Sequence, residues 1–527
     1  MRRALFMAVL FAAAAVAQDW PSPRFVSAEV CSSCHADLYP PGRTPGGSNA
    51  SVGPYDLWSA SMMGASVRDP YWQAKVRYET RATPAAAATI ENACLSCHAP
   101  MQQYERRMEG AVARFDAVDQ AGAEGVSCTV CHQIAADNLG TAASFTAGFT
   151  INEQGRIYGP HANPFPMPMR MHTGRTPTFS QHILDSALCG TCHTVITPTL
   201  SADGTTTGRF LEQATYLEWL DSSYPRSGKS CQSCHLAPLE GPDGKPAPMY
   251  IARTPHGGFF GPTRPRTPFG LHDFGGANVQ GLKLMAAAEP TRAEAYQQSA
   301  RRAQAMLERA LTVRVEATRD GDRLTARVRL ASSAGHKLPT GFPSRRLWLH
   351  LRVHDAKGRT VFESGAWDPS TGEILSRRGA TGPEPHHDRI DDGRQTAIYE
   401  AELASPGGSA THSLLRAGGF AKDNRLLPLG FRDGAGRPQG LESLSLAPVG
   451  VGDDPDFRPG ADKVTYVATV DPAAGPWTVT VEALFQNIKP AHAAALDGAT
   501  AEERRFQELF EAVDAPTPIA QDQTTAR

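Results

Sequence analysis

The sequence predicts an α+β multidomain protein. A mostly helical, loop-rich N-terminal half is followed by one long helix and then by an antiparallel β-sandwich of immunoglobulin-like architecture. Three observations lead there. All ten cysteines fall between residues 31 and 235. Residues Pro290–Leu311 are rich in Ala, Leu, Met, Glu and Arg, a helical pattern. Beyond them, seven short segments alternate apolar and polar residues without a single cysteine.

The cysteines form five copies of C-x-x-C-H. The copies are Cys31/Cys34/His35, Cys94/Cys97/His98, Cys128/Cys131/His132, Cys189/Cys192/His193 and Cys231/Cys234/His235. This is the attachment pattern of c-type haem. The two thiols bond the haem vinyl groups, and the next histidine becomes the proximal iron ligand. Zinc sites and thioredoxin-like pairs also use C-x-x-C, but neither explains five histidines at one offset. With 17 His in 527 residues, five chance matches have a probability of about 3 in 10⁸. Five plain disulfides leave the histidines unexplained as well. The expectation is five covalently bound haems.

Met1–Ala17 carries two arginines, an apolar run Ala4–Ala14 and an Ala15-Val16-Ala17 cleavage pattern before Gln18. It reads as a secretory signal peptide, and the rest as an exported, periplasmic or extracellular protein. No other stretch approaches the ~20 apolar residues of a membrane span. A net charge of −2 argues against nucleic acid or an anionic membrane surface as partner.

Residues 18–290 form the expected haem domain. About 40 residues per motif is too little for five separate cores. The haems therefore share one core and lie close together. Tyr71–Arg77, Gln102–Val112 and Thr215–Leu220 read as helices. Gly155–Pro177, rich in Gly, Pro and Met, reads as an extended loop across haem faces, and Gly241–Gly270 as a second Pro/Gly-rich segment. Residues 291–312 are the linking helix and 313–490 the β-sandwich. Its strands are expected at Thr312–Ala317, Arg323–Leu330, Leu347–Val353, Arg359–Glu363, Thr396–Leu403, Lys463–Val470 and Trp477–Phe485. Residues 491–527 are expected to hold a helix near Ala501–Val513 and a tail.

Several segments carry a family resemblance. They are Leu57-Trp58-Ser-Ala-Ser61-Met62-Met63, Glu124-Gly-Val126-Ser-Cys128, Thr215-Tyr-Leu-Glu218-Trp219 and Leu271-His272-Asp-Phe274-Gly-Gly-Ala-Asn278. Gly335-His336-Lys-Leu-Pro339-Thr-Gly341-Phe-Pro343-Ser-Arg345-Arg346 and Lys422-Asp-Asn424-Arg425-Leu-Leu-Pro428-Leu-Gly430-Phe431 complete the set. With these the chain resembles exported bacterial multihaem c-type cytochromes related to the tetrahaem electron carriers of hydroxylamine oxidation. The resemblance implies an electron carrier serving other redox proteins. In those carriers a W-x-x-S-x-H pattern supplies a distal histidine; here Met63 stands at that place, and Tyr224 at a second copy.

The candidate distal ligands are Met63, His172, His182, His272 and His336. His161 is a weaker choice in the same loop as His172 and His182. His350, His354, His386 and His387 read as structural or solvated. No residue is assigned a catalytic role. The runner-up function is a reductase or oxidase of a small nitrogen or sulfur compound at a haem with an open face. Pentahaem nitrite reductases usually carry Lys as the proximal ligand of their active-site haem, whereas all five motifs here end in His. The β domain is a candidate docking module for a redox partner.

Overall fold

A computed structural model describes residues 20–40, 50–513 and 516–527. The expected signal peptide, residues 1–17, lies outside the described residues.

The haem region is built from short helices: Ala28–His35, Pro54–Ser59, Pro70–Ala82, Ala87–His98, Pro100–Met108, Gln120–Ala123, Cys128–Cys131, Met167–Thr173, Ser186–Gly190, Thr215–Leu220 and Cys231–His235. Two small sheets interrupt them. Strands β1 (Arg156–Gly159) and β2 (Thr176–Phe179) pair in parallel. Strands β3 (Val195–Leu200) and β4 (Thr206–Gln213) form an antiparallel hairpin. Gly155–Pro177 is thus not a plain loop. It holds β1, the helix Met167–Thr173 and the start of β2, because Pro168 sits in that helix's first turn, where a missing N–H costs nothing.

Helix Val279–Ala288 leads into the long helix Ala293–Ala310, and the two pack together. Tyr296, Ala300, Ala303 and Leu307 form the buried stripe of the long helix. Their spacing of three and four residues keeps them on one face.

The second half holds β5 (Leu311–Asp320), β6 (Arg323–Ser332), β7 (Arg346–His354), β8 (Thr360–Ser364), β9 (Arg389–Ile390), β10 (Ile398–Ala404), β11 (Gly419–Asp423), β12 (Ala461–Thr469), β13 (Trp477–Gln486) and β14 (Thr517–Ala526). One sheet runs β5-β6-β12-β9. The other runs β11-β10-β7-β13-β14, with β8 also on β7. Val313, Val328 and Val464 from the first sheet share a core with Leu349, Val481 and Ile519 from the second. Alternation along β5 and β6 puts their apolar residues on that inner face. β7 is buried on both faces, since Trp348 packs outward with Ile374, Ile398 and Leu484.

All seven expected strands are present. The sandwich does not end at residue 490, however. β14 pairs with β13 along its whole length, so the C-terminal tail is an edge strand of the sheet. The terminal helix Ala501–Glu511 packs on Pro70–Ala82 of the haem region. Its start carries a capping box, Thr500 with Glu503.

Candidate functional site

Each motif lies on or at the end of a short helix. A spacing of three puts the two cysteines on the same side of a helical turn, and the histidine follows on the next residue. The helix Ala28–His35 is capped by Ser27, and Glu124 accepts from the Ala28 amide (3.0 Å) and from the Ser127 hydroxyl (2.8 Å). One carboxylate therefore fixes the starts of the first and third motif helices. These two helices pack against each other, as do the fourth and fifth. None of the ten cysteines is in a disulfide.

Thiols of different motifs meet. Cys31 neighbours Cys128, Cys97 neighbours Cys192, and Cys189 neighbours Cys231. Cys97 and Cys192 also pack on one apolar cluster with Met101 and Leu188. The motifs thus form one contiguous body, as the short spacing between them requires.

Cys234 differs from the other motif cysteines. It is exposed, whereas the other nine are half-buried. The reason is its place on the fifth motif helix, Cys231–His235, of which only Gln232 is buried. The start of that helix packs on the fourth motif through Cys231 and Cys189. Cys234 stands one turn further on, beside the exposed Ser233 hydroxyl. Cys234 is thus the most open of the ten motif thiols. The C-x-x-C-H spacing of its motif is intact.

Four motif histidines are oriented by backbone carbonyls. Nδ1 of His35 donates to Ile251 (2.7 Å), that of His98 to Ser66 (2.8 Å), that of His132 to Tyr158 (2.6 Å) and that of His235 to Gly275 (2.5 Å). A carbonyl only accepts, so Nδ1 carries the proton and the Nε2 lone pair is left for a metal. Burial pulls His35 and His132 below the usual imidazole range and His98 and His193 down to about 4. These four are neutral at pH 7, the form that ligates.

Two of the five distal candidates stand opposite motif histidines. The ring of His272 faces that of His132 with centres 6.2 Å apart and planes 17° apart. His336 faces His235 at the same separation and angle. One metal between two imidazoles needs two bonds of about 2.0 Å plus two ring radii, roughly 6 Å between centres. Direct face contact is closer, as for Trp72 on His98 at 4.5 Å. Nδ1 of His272 donates to Gly270 and that of His336 to Lys337, so both Nε2 atoms are again unprotonated. The residues fit haem iron held from both faces.

The other three candidates are placed differently. His182 departs from the expectation: its Nδ1 meets the Ser180 hydroxyl (2.6 Å) and its Nε2 donates to the Ile134 carbonyl (2.8 Å). Neither nitrogen is left for a metal. His172 is exposed in the last turn of Met167–Thr173, and no motif histidine is brought against its ring among the described residues. Met63 is half-buried, and its carbonyl accepts from the Val126 amide beside the third motif. Tyr224, the other departure from the family pattern, donates to the Ser333 carbonyl (2.5 Å). His350 bonds Glu363 and His386 bonds Asp454, as structural histidines do.

Sequence reasoning missed the carbonyls of Ile251, Ser66, Tyr158 and Gly275, because a backbone acceptor has no residue signature. It also missed a buried ion cluster. Glu218, Lys337, Asp423 and Arg425 are each at most 6% exposed.

Residues 30–133, which span the first three motifs, match the family model described as cytochrome c554 and c-prime. The fold is similar to that of a penta-heme cytochrome c552 from Thermochromatium tepidum. That likeness covers 95% of this chain and 98% of the other, with a TM-score of 0.55 and 18% identity. No curated protein matches the sequence. The motifs, the oriented imidazoles and these likenesses support one class, the multihaem c-type cytochromes.

Proposed function

We propose that this cytochrome is an electron carrier with five c-type haems, one on each C-x-x-C-H motif. The observation that carries the proposal is the pair of facing imidazoles, His132 with His272 and His235 with His336. When bound, each haem supplies an iron that gains and loses one electron. The chain's own part is to keep the ligands still. Carbonyls hold the imidazoles in one tautomer and one direction, and packing of the motif helices keeps the five sites close. A fixed ligand on each face suits electron transfer, since coordination need not change between oxidation states. At the sites of His132 and His235 it also leaves no face for substrate.

Further readings rest on the same ground. The β-sandwich is immunoglobulin-like, supported by β5-β6-β12 facing β7-β13-β14. Kinship with the tetrahaem carriers of hydroxylamine oxidation is supported by the shared segments and the match over residues 30–133. Export is supported by the first 17 residues. Among the described residues no helix is long and apolar enough to cross a membrane. The redox partners are other proteins, and the β domain is available to dock one.

One observation favours the second reading, a reductase or oxidase of a small nitrogen or sulfur compound. Burial, with Glu79 nearby, pushes the Glu212 carboxyl up to about 8, and it lies within the field of the second-motif thiols. A protonated acid beside a haem site is what proton-coupled reduction needs. Adding carbon monoxide or nitrite to the reduced holoprotein separates the readings. A carrier shows no rapid stoichiometric binding; one equivalent bound per chain rejects the carrier reading in favour of the reductase.

A further inference from the structure

His336 sits in the loop between β6 and β7, far along the chain from the motif it faces. The sandwich core holds the loop at Leu338, which is buried there and bridges to Leu426, but a second set of contacts ties the loop to the haem region. The loop Ser333–Thr340 is fastened to the haem region at helix Thr215–Leu220 and the turn after it. Glu218 is the centre of that fastening. Its Oε2 accepts from the Lys337 amide (3.2 Å) and from the Thr340 hydroxyl (2.5 Å), and its Oε1 lies 3.0 Å from Arg425. Asp423 closes the cluster with bonds to Lys337 Nζ (2.6 Å) and to Arg425 Nε (2.7 Å). Glu218 and Lys337 are 0% exposed and Asp423 is 1% exposed.

Two cations and two carboxylates balance in charge. Burial opposes ionisation of Asp423, yet Arg425 and Lys337 hold its carboxyl well below the usual range. A buried ion cluster seldom adds much net stability compared with apolar packing, but removing one member leaves an uncompensated charge. Such clusters are retained where they fix a geometry. Here the geometry is the register of residues 336–340 against the helix that follows the fourth motif.

We infer that Glu218 is a positioning residue that holds His336 over the fifth haem site, and so couples the β-sandwich to the redox centre. This rests on the reading that His336 is the distal ligand at His235. Fixing the loop at the Lys337 amide, next to the ligand, and again at Thr340 leaves the imidazole little freedom to leave its partner.

The test uses the full-length, haem-loaded protein and reads each iron by electron paramagnetic resonance and potentiometry. His336→Ala checks the underlying reading by turning one low-spin iron high-spin. Glu218→Ala is expected to convert the same iron in at least half of the molecules, and Glu218→Gln to shift one midpoint potential while the others stay. Asp462→Asn is the control: it removes another buried carboxylate of the sandwich, bonded to Tyr399, and should lower the melting temperature without moving any haem signal. If His336→Ala leaves every iron unchanged, the ligand reading falls. If His336→Ala acts but both Glu218 variants leave all spin states and potentials unchanged, the positioning role is overturned. Should Glu218→Ala fail to accumulate, Glu218→Gln decides alone by the same criterion.

Discussion

His235 and His336 face each other across 6.2 Å with their planes 17° apart, one in the last haem motif and the other ahead of the second β-sheet. The same relation holds between His132 and His272. Replacing His272 or His336 with Ala should therefore convert one low-spin iron to high-spin in each variant, and a different iron in each. Low-temperature electron paramagnetic resonance reads this directly. If both variants altered the same iron, or neither altered any, the pairing would be wrong.

His182 provides the opposite case. Both of its nitrogens are taken by Ser180 and Ile134, so His182→Ala should leave the haem spectrum and all potentials as they are. The cost should appear in the melt instead, at about 1–3 kcal/mol for an orphaned carbonyl at Ile134. A new high-spin signal in this variant would restore His182 as a ligand.

The haem motifs were legible because their chemistry is local: two thiols and an imidazole within five residues. How far each motif is covered was not legible, since the five copies look alike in sequence while Cys234 alone among their thiols is exposed. The distal ligands were legible as candidates only. His272 follows the fifth motif in sequence yet faces the third, and nothing in a linear pattern fixes that pairing. β14 escaped notice because Pro518, Gln521, Asp522 and Gln523 read as a polar tail. It is an edge strand, buried mainly at Thr517, Ile519 and Ala526, and edge strands tolerate such residues. Helix Met167–Thr173 was hidden by its prolines, which are permitted in a first turn. The Glu218 cluster was hidden because charged residues carry no mark of burial.

The tail makes a stability prediction. Ile519 is 3% exposed in the core shared by the two sheets, and Asp522 accepts from the Val315 amide (2.9 Å). Ile519→Ala should cost about 2–4 kcal/mol, as for other large-to-small core changes, measured by chemical denaturation. An effect below about 0.5 kcal/mol, the range of surface substitutions, would mean that β14 is not part of the folded sandwich.

Asp69 caps helix Pro70–Ala82 by accepting from the Tyr71 amide (2.9 Å). Burial raises its carboxyl to about 6 against these amide bonds. Its folded value lies above its unfolded one, so its favourable contribution is complete below about pH 4 and is lost as pH rises through about 6. Asp69→Asn cannot ionise. The melting temperature of the variant relative to the native protein should therefore climb between pH 4 and pH 7 and then level off. A difference that is flat across this range would show that Asp69 is not held up by burial.

The central claim is a chain of five haems that fills and empties with electrons. Anaerobic titration of the purified protein with limiting dithionite tests it most directly, followed by return of the electrons to a dye of high potential. Five electrons should enter per chain, every haem should redden, and all five should leave again without a bound small molecule. Uptake of fewer than four electrons, or a fraction that returns only after a substrate is added, would contradict it.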